Sequence, residues 1–331
     1  MSEKFIDPIT KEELYKDNDG NLYSLHLNNR RTYKLYDGCF DFVKPSLTVK
    51  EVREIYDDAY SRRTTSQTTT NISQITLASL AEQWEDNTIP WRKTMLDALG
   101  ELSGKEILLL GNGASFKEFF FLHLGARVIF TDLSLEVVRR AQYMFRRSEL
   151  FEKYSSSIEF HAVDAMRLPF RDGTFDIIYG SKFVGFLDSH LLFFSEVSRC
   201  LKPNGICRFS DDAVAPLWDY AKRKFVRPVR KLIYRSPTPH DILRSKGEGG
   251  FRKEDLSVFM EKCGFRKMLF VRENFFLRIS QLICGKLFDW NPIYLNRARP
   301  LFLVMKWIDD CLYKTYWMKN NYIALTWGFD K

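Results

Sequence analysis

The chain has only six cysteines in 331 residues, Cys39, Cys200, Cys207, Cys263, Cys284 and Cys311, and no two of them form a CxxC pair. Scattered thiols of this kind point to a reducing compartment and hence to a cytoplasmic protein. The opening residues, MSEKFIDPIT, lack the apolar core of a signal peptide. No window reaches the roughly 18 uninterrupted apolar residues of a spanning helix. The nearest stretch, ArgProLeuPheLeuValMetLysTrpIle from Arg299, is cut by charges. There is no internal repeat. With 45% hydrophobic, 15% aromatic and 28% charged residues, a disordered or collagen-like chain is excluded and a full core is expected.

Acidic residues are scarce in one region only. From Ala215 to Lys331 there are 23 lysines and arginines against 11 acids, a net charge of +12, which leaves −4 for residues 1–214. The overall +8 therefore belongs to the C-terminal third. The length fits one large domain with additions, or two domains.

AsnAspGly at 18–20 lies between LeuTyr and LeuTyrSerLeu, and TyrAspGly at 36–38 marks a second turn, so residues 1–45 read as a small β module. Val52, Ile55, Tyr56 and Ala59 have helical spacing, and a polar, Thr-rich stretch follows from Ser61 to Ser73, making 46–89 a helical and linker segment. A further helix is expected from about Pro90 to Leu99. Beyond it, strand candidates at 106–110, 127–131, 157–163, 175–179 and 205–210 alternate with helix-length segments at 116–124, 135–148 and 191–201. Short apolar strands alternating with helices indicate an α/β domain from 90 to 275, with a doubly wound, mostly parallel sheet. LysProAsnGly at 202–205 ends a helix, with Pro203 blocking continuation and Gly205 placed to take positive φ. Residues 276–331 form a basic, aromatic, helical C-terminal extension.

The first strand of that domain runs into GlyAsnGlyAlaSer at 111–115. Two glycines there let the backbone approach a nucleotide-like ligand at the carboxyl end of the sheet. Asp132 closes the second strand, where a carboxylate can accept from both ribose hydroxyls. Asp164 closes the third, able to accept from an exocyclic amine, with Ala165 and Met166 offering apolar edges to a base. The dinucleotide fingerprint GxGxxG needs a third glycine where Phe116 stands, so a ligand without a pyrophosphate fits better.

Taken in order, IleLeuLeuLeuGlyAsnGlyAlaSer (107–115), IlePheThrAspLeuSer (129–134), AlaValAspAlaMetArgLeuProPhe (162–170), AspGlyThrPheAspIleIleTyr (172–179) and GluValSerArgCysLeuLysProAsnGly (196–205) resemble the class I S-adenosylmethionine-dependent methyltransferases. The resemblance covers about residues 100–212 and implies a Rossmann-like, seven-stranded sheet. It also implies that Gly111, Asn112 and Gly113 pass under the methionine part of S-adenosylmethionine, Asp132 and Leu133 meet the ribose, Asp164 and Ala165 the adenine, and Tyr179 to Lys182 the methyl-bearing end. Two positions depart from the family: Leu110 stands where an acid often precedes the first glycine, and Phe116 replaces a small residue. The N-terminus looks like a zinc-ribbon-like module of such enzymes, with Asp7 and Thr10 at the knuckle positions; a metal-free version is expected, because Cys39 alone cannot hold zinc.

No base for methyl transfer is dictated by the pattern, since positioning does most of the work. His190, Asp211 and His240 are the candidates, with Asp212 beside Asp211; the alternatives are packing histidines and helix caps. LysArgLysPheValArgProValArgLysLeuIleTyrArg at 222–235 packs seven cations among apolar residues, suited to an anionic membrane or glycan or to a solvated face. The expected acceptor is a small molecule, lipid- or glycan-linked, handled at the membrane periphery, and the absence of an AsnProProTyr-type tetrapeptide after the fourth strand argues against nucleic acid. Two rivals stand beside this reading: a non-catalytic methyltransferase-like scaffold, and a nicotinamide-dependent oxidoreductase.

Overall fold

The structure is a computed structural model that describes residues 4–26, 29–44, 52–58, 75–85, 90–113, 116–210, 213–214, 253–273, 275–287, 297–312, 315 and 323–331. The N-terminal module holds β1 (Tyr15–Lys16), β2 (Leu22–His26) and β3 (Asn29–Tyr33) in one small antiparallel sheet, then a hairpin of β4 (Leu35–Tyr36) and β5 (Cys39–Phe40). Both turns read from the sequence are present. The second places Asp37 at φ 51° and Gly38 at φ 87° between the paired residues Tyr36 and Cys39, the two positive φ angles that a tight hairpin matching strand twist requires.

A helix at 52–58 (α1) precedes α2 (Leu77–Glu85) and α3 (Pro90–Leu99). The α/β region then runs β6 (Glu106–Leu110), α4 (Phe120–His123), β7 (Arg127–Asp132), α5 (Leu135–Arg146), α6 (Phe151–Tyr154), β8 (Ile158–Ala162), β9 (Phe175–Ser181), α7 (His190–Cys200) and β10 (Leu201–Ser210). The two-residue β11 (Ala213–Val214), α8 (Lys253–Lys262), β12 (Lys267–Glu273), α9 (Phe275–Leu287), α10 (Arg299–Leu312) and β13 (Ile323–Asp330) complete the described elements. Strands β6 to β10 are mutually parallel, and the sheet order is β12-β13-β10-β9-β6-β7-β8, with β13 antiparallel to both neighbours and β11 added to its first residues. Ile107 to Leu110 are all essentially inaccessible, as a central strand covered on both faces requires. Burying each such side chain stabilises by roughly 1.5–3 kcal/mol.

The structure amends the sequence reading in four places. The helix expected over 116–124 is a 3-10 turn at Lys117–Phe119 followed by the single turn of α4. The strand expected at 205–210 begins at Leu201, and the positive φ falls on Asn204 at 65°, not on Gly205. Gly205 serves a different need: a Cβ there would lie 3.0 Å from the Lys202 carbonyl oxygen and 3.1 Å from that of Asp176. The sheet also draws a strand from beyond residue 275, within the stretch expected to be a helical extension. Arg208 fixes that strand: its guanidinium donates to Asp330 at 2.6 Å, to the Phe329 carbonyl at 3.0 Å and to the Ala98 carbonyl of α3 at 3.1 Å. The segment IALTWGFD carries no helical period, and its aromatic composition alone does not distinguish a strand from a helix.

At the other end of the sheet the N-terminal module covers the β8 edge. Phe42 donates its amide to Ala162 at 2.9 Å, Asp41 bridges Ala162 in parallel, and Phe5 bridges Phe170. An open strand edge is thereby paired.

Candidate active site

The carboxyl ends of β6, β7, β8 and β9 form one rim, and the chain there is built of tight turns. Gly111 and Gly113 both sit at φ 60°, in the left-handed region that a Cβ disfavours. Gly111 donates its amide to the Thr131 carbonyl at 3.2 Å, which ties the tip of β6 to that of β7. Between the glycines, Asn112 is buried, and among the described residues neither its amide nitrogen nor its carbonyl oxygen has a hydrogen-bond partner. Buried polar atoms without partners are uncommon and costly, so a side chain of this kind at a glycine turn suits a polar ligand.

Asp132 is buried at the end of β7. Its Oδ2 accepts from the Gly113 amide at 3.1 Å and its Oδ1 from the Ser134 amide at 3.0 Å. Burial pushes its carboxyl up to about 6, the two backbone amides and that of Leu133 pull the other way, and the charge of Asp57 adds to the rise. Asp57 comes from α1: it accepts from the Ser134 hydroxyl, pairs with Arg53 at 3.4 Å, and Arg53 reaches Asp41 at 2.9 Å. Leu133 is half-buried against the core. Val163 donates to the Asp132 carbonyl at 2.8 Å and so brings the next tip alongside. There Asp164 accepts from the Met166 amide at 2.9 Å and from Arg167 at 3.1 Å, and burial raises its carboxyl. Ala165 is half-buried beside it.

At the tip of β9 a residue not singled out from the sequence takes the central position. The ring of half-buried Phe183 lies across both strand tips: a Cβ on Gly111 would fall 2.5 Å from it, and one on Gly180 would fall 2.4 Å from it. The ring stands edge-on to Phe193 at 5.5 Å and Phe209 at 6.4 Å. Its trace in the sequence is the glycine three residues before it, which gives up its side chain to make room. Lys182 adopts φ 57° and donates its amide to the Ser210 carbonyl at 3.0 Å, with its side chain exposed.

Tyr179, on β9, is fully buried, with its ring edge-on to Phe121 at 5.6 Å. His190 begins α7, hydrogen-bonds through Nε2 to the Val184 carbonyl at 2.9 Å and packs on Phe259, and burial lowers its pKa. Asp211, Asp212, His240 and the cationic stretch 222–235 lie outside the described residues. Among the described residues, no three His, Cys, Asp or Glu side chains come together to hold a metal ion.

Comparison with known proteins agrees with this geometry. Residues 108–209 match the family model described as a methyltransferase domain. Over 190 residues the chain is 26% identical to the demethylmenaquinone methyltransferase of Tropheryma whipplei, which covers 56% of this chain and 76% of that protein. It is 34% identical to the corresponding protein of Thermobifida fusca over 133 residues, 38% of this chain and 53% of that one. The fold is similar to that of the geranyl diphosphate C-methyltransferase of Streptomyces coelicolor A3(2), with a TM-score of 0.52 at 11% identity over 87% of this chain and 99% of that one. Residues 108–209 thus form a methyltransferase domain, the sheet has the class I methyltransferase fold, and the chain is an S-adenosylmethionine-dependent methyltransferase. The rim fits that donor, with left-handed glycines, an unpartnered buried amide and two buried carboxylates at successive strand tips.

Proposed function

We propose that this methyltransferase acts on a small lipophilic ring acceptor of the demethylmenaquinone type. The observation that carries the reading is Phe183, an aromatic ring laid over Gly111 and Gly180 and backed by Phe193 and Phe209. A flat apolar acceptor can pack on such a surface, and the name shared by the similar proteins supports a quinone.

In this proposal the turn Gly111 to Gly113 passes beneath the methionine part, with Asn112 donating and accepting there. Asp132 accepts from the ribose hydroxyls with Leu133 against the sugar, and Asp164 accepts from the adenine amine with Ala165 at the base edge. The functional unit is the 90–275 segment together with the strand at 323–330. The bound donor supplies an electrophilic methyl group on a sulfonium. The rim would hold the acceptor's nucleophilic atom in line with that methyl group, which sulfur would release while keeping the bonding electron pair. The acceptor's displaced proton passes to solvent. Holding two reactants in line supplies a large share of such a barrier.

The test is transfer of labelled methyl from S-adenosylmethionine to a demethylated menaquinone presented in detergent, with a glycan-linked lipid as the second arm. Labelled quinone is expected, with kcat/KM for the quinone falling about tenfold or more in Phe183→Ala through lost stacking and apolar contact. Donor binding without labelled quinone overturns the acceptor, and label in the glycan-linked lipid replaces it.

A further inference from the structure

Helix α10 is apolar on two opposite faces, and among the described residues only one of them packs inside the fold. Ala298 just before the helix, and Phe302, Met305 and Asp309 within it, recur at helical spacing on the inner side. They pack against α9 through Leu277 and Cys284, while Asp309 accepts the amides of Phe276 and Leu277 at 2.9 Å and so caps α9. On the outer side Pro300, Leu303, Val304, Trp307 and Cys311 recur at i, i+3, i+4, i+7 and i+11, all exposed. Leu303 is 49%, Val304 52% and Trp307 66% exposed. Ile283 and Leu287 of α9 add 53% and 60%. Single exposed apolar residues are ordinary; a helix stripe of them centred on a tryptophan marks a contact surface.

We propose that this hairpin of α9 and α10 docks the enzyme on an anionic lipid bilayer. Three observations select that occupant. The outer stripe is an amphipathic interfacial design, with Trp307 at its middle and Arg299, Lys306 and Asp310 along its flank. The C-terminal third that carries it has a net charge of +12, complementary to anionic headgroups. A symmetric pairing of two copies through the same stripe would instead bring the Arg299 and Lys306 flanks of both copies to one seam. The placement is apt as well. β12 ends at Glu273 beside Ile323, the start of β13, which pairs with Val214 just past the end of β10. The hairpin therefore follows a strand at the same carboxyl end of the sheet as the glycine turn, and a lipid-borne acceptor would meet the rim near the bilayer surface.

The proposal is independent of which acceptor is used, because it is read by binding without turnover. The full chain is sedimented with vesicles of phosphatidylcholine alone, and with vesicles in which half is replaced by phosphatidylglycerol. Binding to the anionic vesicles that weakens as salt rises is expected. The double variant Val304→Ser, Trp307→Ser should weaken it about tenfold or more while leaving S-adenosylmethionine affinity unchanged, since both side chains lie on the surface. No binding to either vesicle overturns the proposal, as does equal binding by the double variant. A dimer in solution that the double variant abolishes, with no vesicle binding, would assign the face to a second copy.

Discussion

Asp7 and Asp132 are both shut away from water, and the module at one sheet edge treats its carboxylate in the opposite way to the rim. Asp7, in the N-terminal β module, is surrounded by donors. It accepts from the Ser24 hydroxyl, the Ile9 and Thr10 amides at 2.8 and 2.9 Å, the Tyr33 hydroxyl at 3.0 Å and Arg31 at 3.2 Å. Burial alone would raise its carboxyl, but the Ser24, Thr10, Ile9 and Tyr33 bonds outweigh it and hold Asp7 at about 2. Asp132 accepts backbone amides alone, faces the negative Asp57, and is pushed up to about 6. A carboxylate whose hydrogen bonds are supplied by the protein is a structural hub. One left short of donors is placed for a ligand that brings its own, and two ribose hydroxyls would do so.

The largest effect should come from breaking the hub. Asp7→Ala leaves the Ser24 and Tyr33 hydroxyls, two amides and Arg31 without their shared acceptor, and loss of one side of a buried charged network costs about 3–5 kcal/mol. Urea denaturation should show a loss of that size. The pH dependence follows from the lowered value: Asp7 stabilises fully above the unfolded carboxyl range near 3.9, and that stabilisation is lost as pH falls toward 2. A loss below 1 kcal/mol would mean the donors are satisfied by water and would erase the contrast.

Asp132→Asn should do the reverse in the free enzyme. A raised carboxyl makes ionisation a burden on the folded state that grows between about pH 4 and pH 6 and is complete above it. The neutral amide should then raise stability at pH 7 by about 1–3 kcal/mol. The same variant should bind S-adenosylhomocysteine about ten- to a hundredfold more weakly, since hydrogen bonds to a charged acceptor are worth about 1.5–3 kcal/mol. Calorimetry and thermal melting on one preparation check both. Destabilisation comparable to that of Asp7→Ala would show Asp132 to be a second hub.

The wild-type pH profile gives a smaller, sharper test. If the ionised Asp132 receives the ribose, affinity should be flat above pH 6 and fall about tenfold per unit below it, as one proton competes with the ligand. A profile level down to pH 5 would separate Asp132 from the ligand.

The rim was legible in the sequence to the extent that it is local. Gly111, Gly113, Asp132 and Asp164 each follow an apolar strand directly, and a parallel sheet aligns strand ends, so their order in the chain maps to neighbours in space. Phe183 was missed because its role depends on two glycines from different strands. Asp57, held by Arg53, carries no local signal at all: it lies 77 residues before the Ser134 it touches, on a helix read only for its apolar spacing. The strand at 323–330 was hidden for a similar reason, since its partners β10 and β12 are distant in sequence.

That long-range contact supplies the most delicate way to tune the contrast. Asp57→Asn keeps an oxygen to accept from the Ser134 hydroxyl but removes the negative charge that helps raise Asp132. The Asp132 carboxyl should fall, and the drop in cofactor affinity should move to lower pH. At pH 7 a carboxyl near 6 is already about nine-tenths ionised, so affinity there should change by less than about twofold. At pH 5 the variant should bind more tightly than wild type, because roughly a tenth of the wild-type carboxyl is ionised at that pH and the fraction rises as its pKa falls. Calorimetric titrations with S-adenosylhomocysteine at pH 5 and 7 measure the difference. Equal affinities at pH 5 would leave burial as the sole cause of the raised carboxyl, and would reduce α1 to a packing element with no electrostatic hold on the rim.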